Sequence, residues 1–154
     1  MKRLIAVAIG GGVCLLLGGC AVDSMPSIAE VTEQTKASLQ EIVDLMPPGA
    51  VATPRPDQEP NSCGGSAGKG SFYTGAVDVT LPPGTDVPAL VAGLPSRLGD
   101  DWQESSVPKL PLPRVELRDE KTGVQVNVMG SKPEEEAPWI YLNGISRCGS
   151  EPTR

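Results

Sequence analysis

Histidine is missing altogether, and with it go the ordinary proton shuttle of neutral pH, the Ser-His-Asp sets and the usual zinc triads. Aromatic residues make up only 3% of the chain, so a hydrophobic core built from it has few large anchors. Basic residues are outnumbered: 13 Lys and Arg stand against 19 Asp and Glu, a formal net charge of −6. That balance lacks the basic footprint that nucleic-acid phosphates require, and no nucleic-acid partner is expected. No Cys-x-x-Cys pair occurs. The longest apolar run, Leu4 to Leu17, falls short of the roughly 20 residues needed to span a bilayer, and Gly10, Gly11 and Gly12 weaken it as a helix. What is plentiful is turn material, 16 prolines and 18 glycines among 154 residues, which points to one small domain with a thin core.

Lys2 and Arg3 precede the apolar run as the charged and hydrophobic regions of an export signal do. Leu17-Gly18-Gly19-Cys20 follows directly. This stretch resembles the lipobox of bacterial lipoproteins. The resemblance implies cleavage between Gly19 and Cys20, diacylglycerol (palmitate-type chains) on the Cys20 sulfur, and a protein held on the extracytoplasmic face of the cell membrane. Two acyl chains suffice for stable anchoring, since each buried methylene contributes ~0.8 kcal/mol. Without Lys2 and Arg3 the mature chain keeps 11 basic residues against 19 acidic ones, a net charge of −8, so lipid and not charge would hold it to an anionic membrane.

Of the four cysteines, Cys14 leaves with the leader and Cys20 goes to lipid. Cys63 and Cys148 remain in an oxidising compartment, and a structural disulfide between them is expected in preference to a redox or metal role. A loop of that length is worth on the order of 4 to 5 kcal/mol in the chain-entropy model.

The organisation expected is a leader over residues 1–19, a lipid-anchored spacer over 20–26, a single domain over 27–148 and a frayed tail over 149–154. Ser27-Ile28-Ala29-Glu30 has the spacing of a capping box, and Ile28, Val31, Thr35, Leu39, Ile42, Val43 and Met46 form one apolar helical stripe, ended by Pro47-Pro48-Gly49. The stripe packs on the domain or binds a partner, and core packing is expected. Residues 47–62 read as a proline-rich linker with no regular ladder. Phe72 to Leu81 alternates as a half-buried strand. Thr85 or Asp86 caps a second helix with Val87, Leu90, Val91, Leu94 and Leu98 on one side, which Pro95 should kink or end. Trp102 to Val107 is a short strand, Arg114 to Asp119 and Val124 to Val128 form a hairpin about Glu120-Lys121-Thr122-Gly123, and Trp139 to Ile145 is the last strand. The fold class is α+β, an antiparallel sheet of about four to five strands with helices packed on one face and a single disulfide. This order of elements resembles small envelope lipoproteins of high-GC Gram-positive bacteria, a likeness that implies location and fold and no activity.

Catalytic strings are weak. The segment Asn61 to Gly70 fails as a phosphate loop, since Cys63 stands where a glycine is needed and Gly70 where Ser or Thr is needed. Ser66-Ala67-Gly68-Lys69 and Lys121-Thr122-Gly123 match short strings of penicillin-binding proteins, but no Ser-Asp-Asn accompanies them and the chain is too short for that fold. Asp100-Asp101 beside Trp102 lacks a partner carboxylate, and Glu134-Glu135-Glu136 lacks calcium-loop spacing. No catalytic residue, cofactor or metal ligand is assigned. The expectation is a binding or interaction module that meets an envelope protein, lipid or wall partner through the open sheet face or the cleft under the first helix. An envelope enzyme using carboxylates and a structural role in envelope assembly are the alternatives.

Overall fold

Ser27 starts the folded chain in the way its spacing predicts. Its hydroxyl accepts the Glu30 amide at 3.1 Å and caps α1, Ile28–Val43. The reciprocal half of the capping box does not form, because the Glu30 carboxylate accepts instead from Gln34 Nε2 at 3.1 Å. The computed structural model describes residues 25–64, 70–106 and 111–151. The cleavage pair Gly19 and Cys20, most of the spacer and the string Ser66 to Lys69 lie outside the described residues. The helix stops before Met46: the Leu45 and Met46 amides bond to the Ile42 and Val43 carbonyls in a tightened turn ahead of Pro47.

Six antiparallel strands follow in one sheet, along with a two-stranded ribbon. The strands are β1 (Val51–Pro54), β4 (Thr74–Thr80), β5 (Trp102–Ser105), β6 (Arg114–Asp119), β7 (Gln125–Gly130) and β8 (Trp139–Ile145), in the order β1-β4-β8-β7-β6-β5. The ribbon pairs β2 (Asn61–Ser62) with β3 (Ser71–Phe72). A second helix, α2 (Val87–Leu98), carries the chain from β4 to the far edge of the sheet. From there β5, β6, β7 and β8 meander back until β8 lies against β4 over seven residue pairs. Both helices pack on one face. The α+β class, the helix placement and the hairpin at Gly123 (φ 73°) are those the sequence predicts.

The extra strand is β1. Its residues fall within the segment 47–62, read as linker, but pair with Val77 to Thr80 of β4. Proline is tolerated here because β1 is an edge, where a missing N–H breaks no inner ladder. Pro95 also behaves differently from expectation, since α2 runs through it to Leu98. Only one intrahelical bond is forfeited so near the end, while fully buried Leu94 and an Arg97 Nη2 bond to the Leu45 carbonyl at 2.5 Å secure the last turn. Within the segment expected to fray, residues 149 and 150 are bonded to the domain. Gly149 exchanges two hydrogen bonds with Ser71, and the Ser150 carbonyl accepts the Ile28 amide at 2.9 Å. Cys148 holds this segment in place through its disulfide to Cys63, with Cα atoms 6.2 Å apart and a sequence separation of 85.

Glycines in the strands decide where the helices sit. Gly75 and Gly144 face each other across β4 and β8, both buried beneath α1. A Cβ on Gly144 would stand 2.9 Å from Thr35 Cγ2 and 3.2 Å from Leu39 Cγ, so α1 rests on bare backbone. Gly130 does the same for α2, where a Cβ would meet Val87. Between these contacts Ile42, Val79, Leu94, Leu117, Val126, Val128, Ile140 and Leu142 form a core with under 2% exposure, aliphatic as the composition requires.

Two predictions follow from this packing. Gly144→Ala is expected to destabilise by about 1–3 kcal/mol through overpacking, whereas Gly93→Ala, at a helical position with nothing within 4 Å, is expected to stabilise by about 0.5–1 kcal/mol. Urea unfolding of the two variants should show midpoints moving in opposite directions. Loss of the disulfide in a Cys63→Ser, Cys148→Ser variant should cost about 2–5 kcal/mol in the same measurement, and reductant should reproduce that loss in the native chain.

Candidate functional site

Small residues on the edge of the sheet leave a hollow beside α1. The helix lies over β4 and β8, and the neighbouring edge offers Ala52 and Pro54 of β1 and Gly75 and Val77 of β4 on that side. The result is a cleft of about 390 Å³, floored by Leu39, Val43, Ala52 and Val77. That volume falls within the ~300–1,000 Å³ of small-molecule sites. An extended strap, residues 55–60, closes one end.

The strap is pinned on both sides. Arg55 donates through Nε and Nη2 to the Asp78 carboxylate at 2.7 and 2.8 Å, and its guanidinium lies 4.7 Å from the centre of the Tyr141 ring. Downstream, Cys63 enters the disulfide. Between these anchors Asp57 turns to the cleft, where its carboxylate accepts from Lys36 Nζ at 2.8 Å and from the Tyr73 hydroxyl at 2.5 Å. Lys36 projects from α1, stands 4.0 Å from Glu33 and lies 5.7 Å from the Tyr73 ring centre. Tyr73 is only 4% exposed and is fixed at the chain level: its amide donates to Ser146 Oγ at 2.9 Å and its carbonyl accepts the Ser146 amide at 3.0 Å. Its ring occupies the space that a side chain on Gly75 would need.

The electrostatics follow from these contacts. The Lys36 hydrogen bond, seconded by Tyr73, holds the Asp57 carboxyl below the usual carboxylate range. The Asp57 hydrogen bond raises the Lys36 ammonium above its ordinary value. Burial first and the Asp57 hydrogen bond second push the Tyr73 phenol up. At neutral pH the cluster is therefore an ammonium and a neutral hydroxyl gripping one carboxylate.

The open face of the sheet is of another kind. Arg114 Nε donates to Asn127 Oδ1 at 2.7 Å and lies 3.7 Å from Glu116, Arg118 lies 3.5 Å from Glu120, and Arg55 is held by Asp78. A shallow depression of about 280 Å³ lies there at Arg114, Asn127, Met129, Tyr141 and Asn143. These groups satisfy one another.

Of the residues singled out in the sequence, Cys63 and Cys148 are brought together. Asp100 and Asp101 do not form a site: Asp101 pairs with Lys121 at 2.5 Å, and buried Trp102 donates to Glu41 at 3.3 Å. Glu135 is used within its own loop, accepting from the Lys132 amide and from Trp139 Nε1. Thr122 of the Lys-Thr-Gly string donates to Asp119 at 2.7 Å and closes the hairpin. Among the described residues no acidic or cysteine cluster is arranged to hold a metal ion, and no helix is long and apolar enough to cross a membrane. Sequence reasoning missed Lys36, Asp57 and Tyr73, whose spacing matches no motif. Comparison with protein-family models, with curated proteins and with solved structures finds no match to the chain.

The coupling of these groups has a pH signature. Because the folded Asp57 value is depressed, its contribution is fully present above the ordinary carboxylate value of about 3.8 and is lost as pH falls through the lower folded value. The raised Lys36 value makes its contribution present below about 10.5 and lost as pH rises beyond it. Near-ultraviolet absorbance should show the Tyr73 phenol still protonated above its ordinary value of about 10.0, and Asp57→Asn should bring that ionisation down. An unchanged tyrosine titration in the variant would mean that the strap is not docked in solution.

Proposed function

We propose that the protein is a lipid-anchored cell-envelope binding module whose ligand site is the cleft between α1 and the β1–β4 edge. One observation carries the choice of site: the cleft joins an apolar floor to a fixed cluster of charged and polar groups, while the groups of the open face are already paired with one another. The cluster favours recognition over proton transfer. Lys36, Asp57 and Tyr73 are all shifted away from neutrality, so none is poised to exchange a proton near pH 7.

The location rests on Leu17-Gly18-Gly19-Cys20 and its likeness to a lipobox. With Cys20 acylated, the spacer to Ser27 reaches at most ~25 Å when extended, which keeps the cleft near the lipid surface. The membrane is then one partner, through lipid on Cys20, and an envelope lipid or protein is the other.

Intact mass and the N-terminal residue of the membrane fraction test the anchor. The expected species begins at acylated Cys20, and Cys20→Ala should shed a folded domain into the medium. A membrane-bound chain beginning elsewhere would overturn the location. A photoreactive side chain in place of Val43 tests the cleft. In native membranes it should yield a defined adduct, which Ala52→Trp on the edge strand or Gln40→Trp from the helix side should suppress by filling the space. No adduct, or one that survives both substitutions, would remove the cleft from the proposal.

A further inference from the structure

The cleft is charged at one end and apolar along its length, and the charged end is already occupied by a group from the protein itself. Asp57 is a carboxylate held by two donors, the Lys36 ammonium and the Tyr73 hydroxyl, at hydrogen-bonding distances of 2.8 and 2.5 Å. Neither the backbone of the strap nor the sheet ladder requires Asp57 at this point, since residues 55–60 belong to no strand. Its carboxylate fills a cradle that two other elements supply, Lys36 from α1 and Tyr73 from the junction of β3 and β4. Such a cradle accepts any carboxylate that reaches it.

We propose, resting on the cleft reading above, that the ligand is a single-chain amphiphile with a carboxylate head. The carboxylate takes the place of Asp57 on Lys36 Nζ and Tyr73 Oη, and the chain lies along Leu39, Val43, Ala52 and Val77. The strap is then a self-ligand that the incoming head group displaces.

Three features on the page support this. First, the two donors keep their protons throughout the neutral range, so the cradle presents one positive charge and one hydroxyl donor to an anion. Second, the volume of about 390 Å³ lies at the small end of the ~300–1,000 Å³ range of small-molecule sites, which suits a single short chain and not a folded peptide. Third, the strap is anchored at both ends, by Arg55 on Asp78 and by β2, which pairs with β3 beside the Cys63–Cys148 disulfide, and residues 56–60 between these anchors belong to no strand. It can lift without disturbing the sheet.

Charged groups nearby set the specificity. Glu33, 4.0 Å from Lys36, and displaced Asp57 both oppose a second negative charge, and Arg55, the other cation lining the cleft, is already engaged by Asp78. A monoanion is therefore selected over a dianion such as a phosphate monoester.

Titration of the soluble chain beginning after Cys20, at neutral pH and below micelle formation, tests this with decanoate and with decanol, which share a chain and differ in the head. Decanoate should bind about tenfold more tightly than decanol, the scale of one charge-assisted hydrogen bond. Lys36→Met should erase that preference by weakening decanoate alone. Asp57→Ala should strengthen decanoate about tenfold by removing the internal competitor, and decanol binding, left nearly constant, reports that each variant is folded. Equal affinity for decanol and decanoate, or a preference untouched by Lys36→Met, would overturn the carboxylate assignment while leaving the cleft in place. Failure of both probes in a protein that still forms the Val43 photo-adduct would overturn the single-chain amphiphile and not the site. Failure of both together with loss of the adduct would remove the site itself.

Discussion

The ladder between β4 and β8 is the contact on which the rest of the molecule depends. It is the one place where the early part of the chain, α1, β1 and β4, meets the later part, α2 and β5 to β8, through a full strand pairing. On its own the early part has two strands of the main sheet, a short two-stranded ribbon and one helix, too little to bury an apolar face independently. The later part reaches it only after crossing under α2 and meandering back through four strands, so the decisive pairing closes a long loop. The disulfide and the Gly149 and Ser150 bridges act at the same joint, tying the segment after β8 to the strap and to the start of α1. A thin, largely aliphatic core is thus reinforced where the cost in chain entropy is greatest.

That ladder also carries the glycine pair that shapes the site. Gly75 and Gly144 let α1 settle onto the backbone of β4 and β8, and a helix seated so closely there leaves the β1 edge uncovered. The cleft is the space left over. Its walls are small for the same reason: Ala52 and Pro54 suit an edge strand that emerges from a proline-rich segment and would serve poorly as core. Tyr73, one of very few aromatics, fits only because Gly75 has no side chain, and its hydroxyl is thereby brought to Asp57. Packing and site share one cause.

Much of this was legible in local patterns and little of it in long-range ones. The Ser27 cap, the apolar stripes, the alternation in β4, β6 and β7 and the Gly123 hairpin are written within a few residues each, where capping and pleat chemistry act. The disulfide followed from having two cysteines left once Cys14 and Cys20 were set aside. β1 was hidden because Pro54 and Pro56 argue against a ladder, and only its edge position makes the proline harmless. Pro95 was over-weighted because burial of Leu94 outweighs one missing hydrogen bond. The cluster of Lys36, Asp57 and Tyr73 was not legible at all, for it depends on where a linker crosses a helix. Gly75 inside an apolar alternation was the available signal, since a glycine in a strand often marks the close approach of another group.

The lack of histidine acquires a structural sense in this setting. A site made of lysine, aspartate and tyrosine, in which Lys36 and Asp57 push each other away from neutrality while burial and then Asp57 push Tyr73 up, keeps one charge pattern across the pH range in which histidine would change. Constancy of charge is of little use to a general acid or base and of direct use to a receptor that must hold and release by displacement. Release then has to come from mechanics. The strap supplies a carboxylate of its own at high local concentration, fixed by anchors on either side, so that on the proposed reading an external anion would bind only if its chain contributed enough apolar burial to outcompete Asp57. Affinity would thus depend on the chain while the head group decides admission, a division of labour that a cleft with an apolar floor and a single charged end is built to enforce.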